Sequence, residues 1–575
     1  MKNLIISIFL LSSSVLSAQQ FTTTFEKSNG LESATYIECN NYYRILSDNF
    51  NAINIKKFYT TDAGYPLNLI IYDKSRQFNP KKWKEENKVI ILVNNGIHPG
   101  EPDGIDASMM FIRDLATGKL NAPGNVVIAI IPIYNIGGSL NRNAFSRVNQ
   151  DGPASYGFRG NAQNLDLNRD FVKSDSKNAK AFAEIFHWLD PDIMLDNHVS
   201  DGADYQHTMT MLTTQHNKLG GETGAFLHDV FEPALYKSMQ QKNWPMCPYV
   251  NFEEGNVEKG WDAFYDPPRY SSGYAALFQT IAFVPETHML KPFAQRVKST
   301  YAFMQAIMEQ AGAFGKDIIA KRKASVEAIK KQQVFAIGWK VDSSRHDMIS
   351  FKGYAAAYKK SDVTGMQRLY YNHNKPFEQQ VNFYNYFIPT LTIQKPKAYI
   401  IPQGWGKAIG LLTLNGVKMQ QLKRDTTMMI NFYHIDDYKS LPRPYEGHHF
   451  NYNVKVSERH DTIHFLKGDY IIYTGQRADR YIVETLEPQA DDSYFHWNFF
   501  DAILQQKEGY SGYRWEDVAA GYLAQHPELK TKLDEKRMTD TAFAANADAQ
   551  LDFVYKNSPY YEPAHLRYPV YRLMK

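Results

Sequence analysis

Val89 to Asp106, VIILVNNGIHPGEPDGID, decides how the rest of the chain is read. Five of its first six residues are apolar and four of those are β-branched, the pattern of a strand buried on both faces of a sheet. The chain then turns through Asn94-Asn95-Gly96 and presents His98 and Glu101. An imidazole and a carboxylate three residues apart on one tight loop can bind the same ion, and Pro99-Gly100 forces the turn that lets them converge. A lone His-x-x-Glu arises often by chance, but open α/β sheets place their ligands just past strand ends. The pair points to a zinc site that still needs a third ligand.

Working outward, strand-like runs Ile53 to Thr60, Leu67 to Tyr72, Val126 to Tyr134, Asp192 to Asp196 and Thr280 to Val284 alternate with helical stretches. The helical stretches are residues 32–48, Ile105 to Leu115 and Asn178 to Leu189, the last stopping before Asp190-Pro191. Alternation of this kind predicts an α/β fold, a mixed and mainly parallel sheet with helices on both faces. His98 and Glu101, His198 and Glu286 all fall just past strand ends, on one edge of such a sheet. Each has a dull explanation alone, His198 as a helix cap and Glu286 as a partner for a surface lysine. Together they are harder to dismiss.

At 575 residues the chain is too long for one ordinary core. The 64 basic and 61 acidic side chains leave +3, so charge predicts neither nucleic acid nor a membrane surface as partner. Residues 1–18, MKNLIISIFLLSSSVLSA, have the pattern of an export signal, and no later stretch reaches the ~20 apolar residues of a membrane span. The expectation is a periplasmic or secreted protein with no integral membrane segment after signal removal. Cys39 and Cys247 are the only cysteines, no disulfide framework, and the sequence leaves their pairing open.

Two histidines and one carboxylate leave a fourth zinc position for water, the arrangement of a hydrolytic rather than a structural site. Zinc lowers the pKa of such a water to roughly 7, and a nearby carboxylate, for which Glu286 is the candidate, can take its proton. Between the ligands lies Phe158 to Phe171, FRGNAQNLDLNRDF. The series His98-x-x-Glu101, Arg159, Asn168-Arg169 within a Leu-Asp-Leu-Asn-Arg-Asp-Phe run, His198 and Glu286 resembles the zinc metallocarboxypeptidases of the carboxypeptidase A family, over about residues 30 to 310. Carboxypeptidase A is itself a standard example of a His₂Glu zinc enzyme.

The resemblance implies that His98, Glu101 and His198 bind one Zn²⁺ and that Glu286 is general base and then acid. It makes Arg159 the stabiliser of the oxyanion, and Asn168 and Arg169 the grip on a substrate's C-terminal carboxylate. Guanidinium chemistry agrees, because its planar fork holds a carboxylate through two parallel hydrogen bonds. Isolated arginines are usually solvated surface residues, and only the company of the metal motif reverses that reading. Asp166 reads as structural, orienting a neighbouring loop. The chain departs from the family at the active-site tyrosine, for which Tyr265, Tyr270 and Tyr274 compete; Tyr270, in the Pro-rich loop before the last strand, is the choice. The specificity pocket falls in this same unaligned loop.

The expected organisation is a signal at 1–18, a catalytic domain at 19–313, a linking helix at 314–334, a β-rich accessory domain at 335–483 and a helical segment at 484–575. His460 and His464 lie four apart on an expected strand and read as surface residues rather than a second metal site. The expected substrates are peptides with a free C-terminal carboxylate. Cell-wall stem peptides and acyl-amino acids, cut at the same site, are the alternatives, and a binding module with a vestigial metal site is the rival from another class.

Overall fold

A computed structural model describes residues 21–252 and 257–574; the expected export signal lies outside them. Its centre is a nine-stranded sheet. The strands are β1 (Ile53–Thr60), β2 (Pro66–Tyr72), β3 (Val89–Asn94), β4 (Val126–Ile131), β5 (Ile193–Asp196), β6 (His198–Ser200), β7 (Met209–Thr213) and β8 (Cys247–Pro248). After β9 (Trp261–Asp262), which joins another sheet, comes β10 (Ile281–His288). Their order is β1-β2-β4-β3-β5-β10-β7-β8, with β6 beside β10. The pairs β3 with β4, β3 with β5, β5 with β10 and β6 with β10 are parallel. The pairs β1 with β2, β2 with β4 and β7 with β10 are antiparallel, so the sheet is mixed and mainly parallel, as expected.

Burial on both faces explains the apolar run of β3. Val89, Ile91 and Val93 join the core that includes helix residues Leu46, Phe111 and Phe303, while Ile90 and Leu92 join the opposite core with Trp83, Phe182 and Phe186. Each such side chain contributes roughly 1.5–3 kcal/mol on burial, so a polar residue anywhere in the run is costly. The helices follow their sequence signals. Thr35 caps Tyr36–Asn49 through a reciprocal bond with Glu38. Ser176 caps Lys177–Leu189, which ends where Asp190 turns left-handed at φ 49° before Pro191.

One strand is longer than its sequence suggests. Pro285-Glu286 reads as a stop, yet β10 continues to His288 because β6 lies on one side and β7 on the other. Glu286 therefore stands within the strand rather than past its end, directly opposite His198 in the parallel register. Cys39 and Cys247 are both buried and free.

The second half packs against the first. A hairpin of Asp347–Lys360 and Gln367–Tyr384 adds β9 at its edge. A six-stranded sheet includes Ala398–Ile401, Thr426–Ser440 and Asn451–Phe465, and the late strand Tyr571–Leu573 lies inside it. Tyr399, Ile401, Tyr481, Ile482 and Trp497 share a core with the strands of the nine-stranded sheet. Helices Gly512–Gln525, Pro527–Thr539 and Ala547–Lys556 enclose a small core of their own. Among the described residues no helix is long and apolar enough to cross a membrane.

Candidate metal centre and active site

The ends of β3 and β5 are tied to each other, and to helix Asp103–Ala116, by amide side chains. Asn94 donates to Asp196 at 3.0 Å, Asn197 to Asn95 at 2.7 Å, and Asn95 to Ser108 at 2.9 Å. Helix Asp103–Ala116 starts so close to these ends that a Cβ on Gly104 would sit 2.4 Å from the Asn95 side-chain oxygen. Gly100 is needed for a similar reason, since a side chain there would collide with the Arg147 guanidinium. The loop between β3 and that helix is thereby fixed, and with it His98 and Glu101.

Three donors converge. One ligand atom each from His98, Glu101 and His198 lies within 4.8 Å of the other two, and among the described residues no other group of His, Cys, Asp and Glu does this. His98 Nδ1 is 3.0 Å from Glu101 Oε1 and His198 Nδ1 is 3.0 Å from Glu101 Oε2. The Nε2 atoms face away, each toward a carboxylate: His98 toward Asp166 at 2.9 Å, His198 toward Asp196 at 3.2 Å. The first is a hydrogen bond; the second is an ion-pair contact whose alignment falls short of one. A carboxylate beside the outer nitrogen favours the tautomer with its proton on Nε2 and the Nδ1 lone pair free for an ion. Two imidazole nitrogens and a buried carboxylate in this arrangement fit zinc.

Charge is distributed unevenly. Burial alone would raise the Glu101 carboxyl, but Arg147 and the two histidines hold it well below the usual range. Burial likewise works against the Asp166 carboxylate, and is outweighed by His98, Arg159 and Arg169, which hold it low. Glu286 goes the other way: desolvation, with the carboxylates of Glu101 and Asp196 adding to it against His198, pushes it up to about 8. Its side chain touches the cavity yet has protein on every other side, so partial exposure and strong desolvation coexist.

A cavity of about 280 Å³ opens on these groups. His98, Glu101, Arg159, Asn168, Arg169, His198, Tyr270 and Glu286 all line it. Arg159 Nε donates to Asp166 at 2.9 Å, and its Nη1 is 3.8 Å from Glu101. The Arg169 guanidinium lies 4.5 Å from the centre of the Tyr270 ring. Asn168 also lines the cavity, where its side-chain NH2 is the group that can donate to a carboxylate; its side-chain oxygen is buried without a partner. Of the competing tyrosines, only Tyr270 lines the cavity: Tyr265 donates to Asp491, and the buried Tyr274 to Asn415.

Three participants were not legible in the sequence. Arg147 ion-pairs with Glu101, and Tyr249 forms part of the wall, but neither belongs to a motif. Asp196 lies two residues before His198, inside an apolar strand, where spacing gave no hint of its role.

No family model matches the chain. Carboxypeptidase 2 of Trichophyton rubrum is 21% identical over 436 residues, covering 71% of this chain and 73% of that protein. Carboxypeptidase 2 of Trichophyton equinum is also 21% identical, over 437 residues with the same coverage. Among solved structures, a metallo-carboxypeptidase from Burkholderia cenocepacia matches with TM-score 0.36 and 14% identity, over 48% of this chain and 69% of that one. A carboxypeptidase A from Helicoverpa armigera matches with TM-score 0.37 and 13% identity, over 50% and 75%.

Proposed function

We propose that this chain is an exported zinc-dependent metallocarboxypeptidase that hydrolyses the C-terminal amide bond of peptides. The observation that carries the reading is one cavity in which a His-Glu-His donor set, the half-buried Glu286 carboxyl and two arginines meet. The relatives at 21% identity, both named carboxypeptidase 2, support it.

His98, Glu101 and His198 would hold the ion, which when bound supplies Lewis-acid polarisation and an acidified water. The other steps belong to side chains. Arg169 and Asn168 grip the substrate's terminal carboxylate, and Tyr270 flanks that grip. Glu286 takes the proton of the attacking water and returns it to the departing amine. Burial and neighbouring carboxylates push this carboxyl up to about 8, and a cation bound beside it would draw it back down toward the range in which it can accept that proton. Arg159 faces the negative charge that develops on the carbonyl oxygen, from the open side of the cavity.

Metal analysis and a panel of peptides with free or amidated C-termini, cell-wall fragments included, test the reading. The expected result is one zinc per chain, activity lost to a chelator and restored by zinc, and cleavage of free-acid peptides only. Equal cleavage of amidated peptides would remove the carboxylate grip. Sequencing the N-terminus of the protein made in its native cell tests export, with a start near residue 19 expected.

A further inference from the structure

The two loops that carry the carboxylate grip are themselves held by the second half of the chain. Residues 158–175 supply Arg159, Asp166, Asn168 and Arg169; residues 264–272 supply Tyr270. On the first loop, the Asp166 backbone N–H donates to the Glu446 carboxylate at 2.8 Å, across 280 positions. Glu446 sits at φ 51° beside Gly447 at φ 80°, in a tight turn closed between Tyr445 and His448. His448 Nε2 also meets Asp175, at the far end of the same loop, at 2.6 Å.

The second loop is held by a different segment. Asp492, with a side chain 0% exposed, accepts the Arg269 backbone N–H at 2.7 Å and its Nε–H at 3.1 Å through one oxygen, and its other oxygen lies 2.7 Å from Nη2 in the ion pair. The guanidinium lies among the rings of Tyr445, Phe450 and Trp497, at 5.7, 4.7 and 5.3 Å. Arg269 adjoins Tyr270, and its carbonyl accepts the Phe171 N–H at 3.4 Å, which ties the two loops to each other.

None of Tyr445, Glu446 and Asp492 lines the cavity, so none touches a ligand there. Yet burying an ion pair costs desolvation that apolar packing of the same volume avoids, and a segment serving only as cover needs no such pair. What the pair and the Glu446 acceptor provide is a fixed geometry. On the function proposed above, we propose that Glu446 and Asp492 are positioning residues that set Arg169 and Tyr270 for the substrate carboxylate. The region 445–497 is then part of the specificity apparatus rather than an appendage.

Calorimetry of peptide binding tests this in the zinc-loaded Glu286→Gln protein, with one peptide in free-acid and amidated forms. Glu446→Ala, which loses a charge-assisted hydrogen bond, and Asp492→Asn, which keeps an acceptor but loses the charge paired with Arg269, are each expected to weaken free-acid binding about tenfold. Binding of the amidated peptide and zinc affinity stay within about twofold, and Glu446→Gln, which keeps an acceptor oxygen, restores the free-acid affinity. If Asp492→Asn does not fold, the two Glu446 variants decide alone. Unchanged free-acid binding in Glu446→Ala overturns the inference, and so does an equal loss for the amidated peptide. A Glu286→Gln parent that binds both peptides equally overturns the carboxylate grip, and this inference falls with it.

Discussion

Glu101 and Glu286 share one cavity and are driven in opposite directions by their neighbours. Arg147 and two imidazoles keep the first ionised, whereas burial beside that same negative charge pushes the second up to about 8. Carboxyls whose environments separate them in this way divide into ligand and proton carrier. Glu286→Gln is therefore expected to bind zinc like the parent and to lose at least about a hundredfold in kcat; an undiminished rate would remove Glu286 from the chemistry. Arg169→Ala should raise KM for free-acid peptides with little change in kcat, since a grip on the chain end acts before and during reaction alike. A loss confined to kcat would place Arg169 at the transition state instead.

A third carboxyl, Asp106, is buried outside the cavity with one oxygen bonded to the Ala34 N–H at 3.1 Å and the other unpartnered. Desolvation, with Asp103 adding to it, pushes it up to about 8. Its folded pKa is raised, so the native state keeps a proton that the unfolded chain has released, and stability falls as pH rises between about 4 and 8. Asp106→Asn, a neutral mimic, should raise Tm at pH 8 and have little effect at pH 4. A gain independent of pH would contradict the assignment. At this scale the sequence revealed residues within short motifs, such as His98 and Glu101, and concealed Arg147, which reaches Glu101 across 46 positions with no motif of its own.

The metal loop is steadied by an element nearly two hundred residues away. Arg296, at the start of helix Phe293–Ala313, donates Nε to Asp103 at 3.0 Å, and Thr287 on β10 donates to the same carboxylate at 2.5 Å. Arg296 also donates to the carbonyls of Asp151 and Lys291, at 2.8 and 2.7 Å. With the pair 0% and 2% exposed, Arg296→Met would strand a buried carboxylate, a change that costs about 3–5 kcal/mol. Denaturant unfolding should show that loss, and a deficit under about 1 kcal/mol would mean that water or another donor replaces the guanidinium. The elements themselves were legible because period and caps are local: Thr35 with Glu38, Ser176, and the apolar run of β3. The extension of β10 through Pro285 was not, because it depends on β6 and β7, strands that no local pattern places beside it.

Across the whole molecule, the two halves are joined by burial rather than by a linker. His187 on helix Lys177–Leu189, with Tyr274 and Phe278 from the stretch just before β10 packed against that helix, meets second-half groups directly. Asn415 bonds Tyr274 at 2.5 Å and His187 at 3.1 Å, and the Phe278 ring stacks on Tyr481 at 5.4 Å. Arg477 reaches Asp190, the left-handed residue that ends the helix. Amphipathic periodicity showed that this helix has an apolar face, but not that part of what covers it comes from more than two hundred residues later. A fragment of residues 19–334 would expose these rings and leave Tyr274 without its acceptor. It is expected to lack a cooperative melting transition and to bind a hydrophobic dye, while the full chain unfolds in one step reported alike by Trp83 and Trp497. If the fragment instead melts sharply near the Tm of the full chain, the halves fold independently, and their shared apolar surface is an interface between two domains rather than one core.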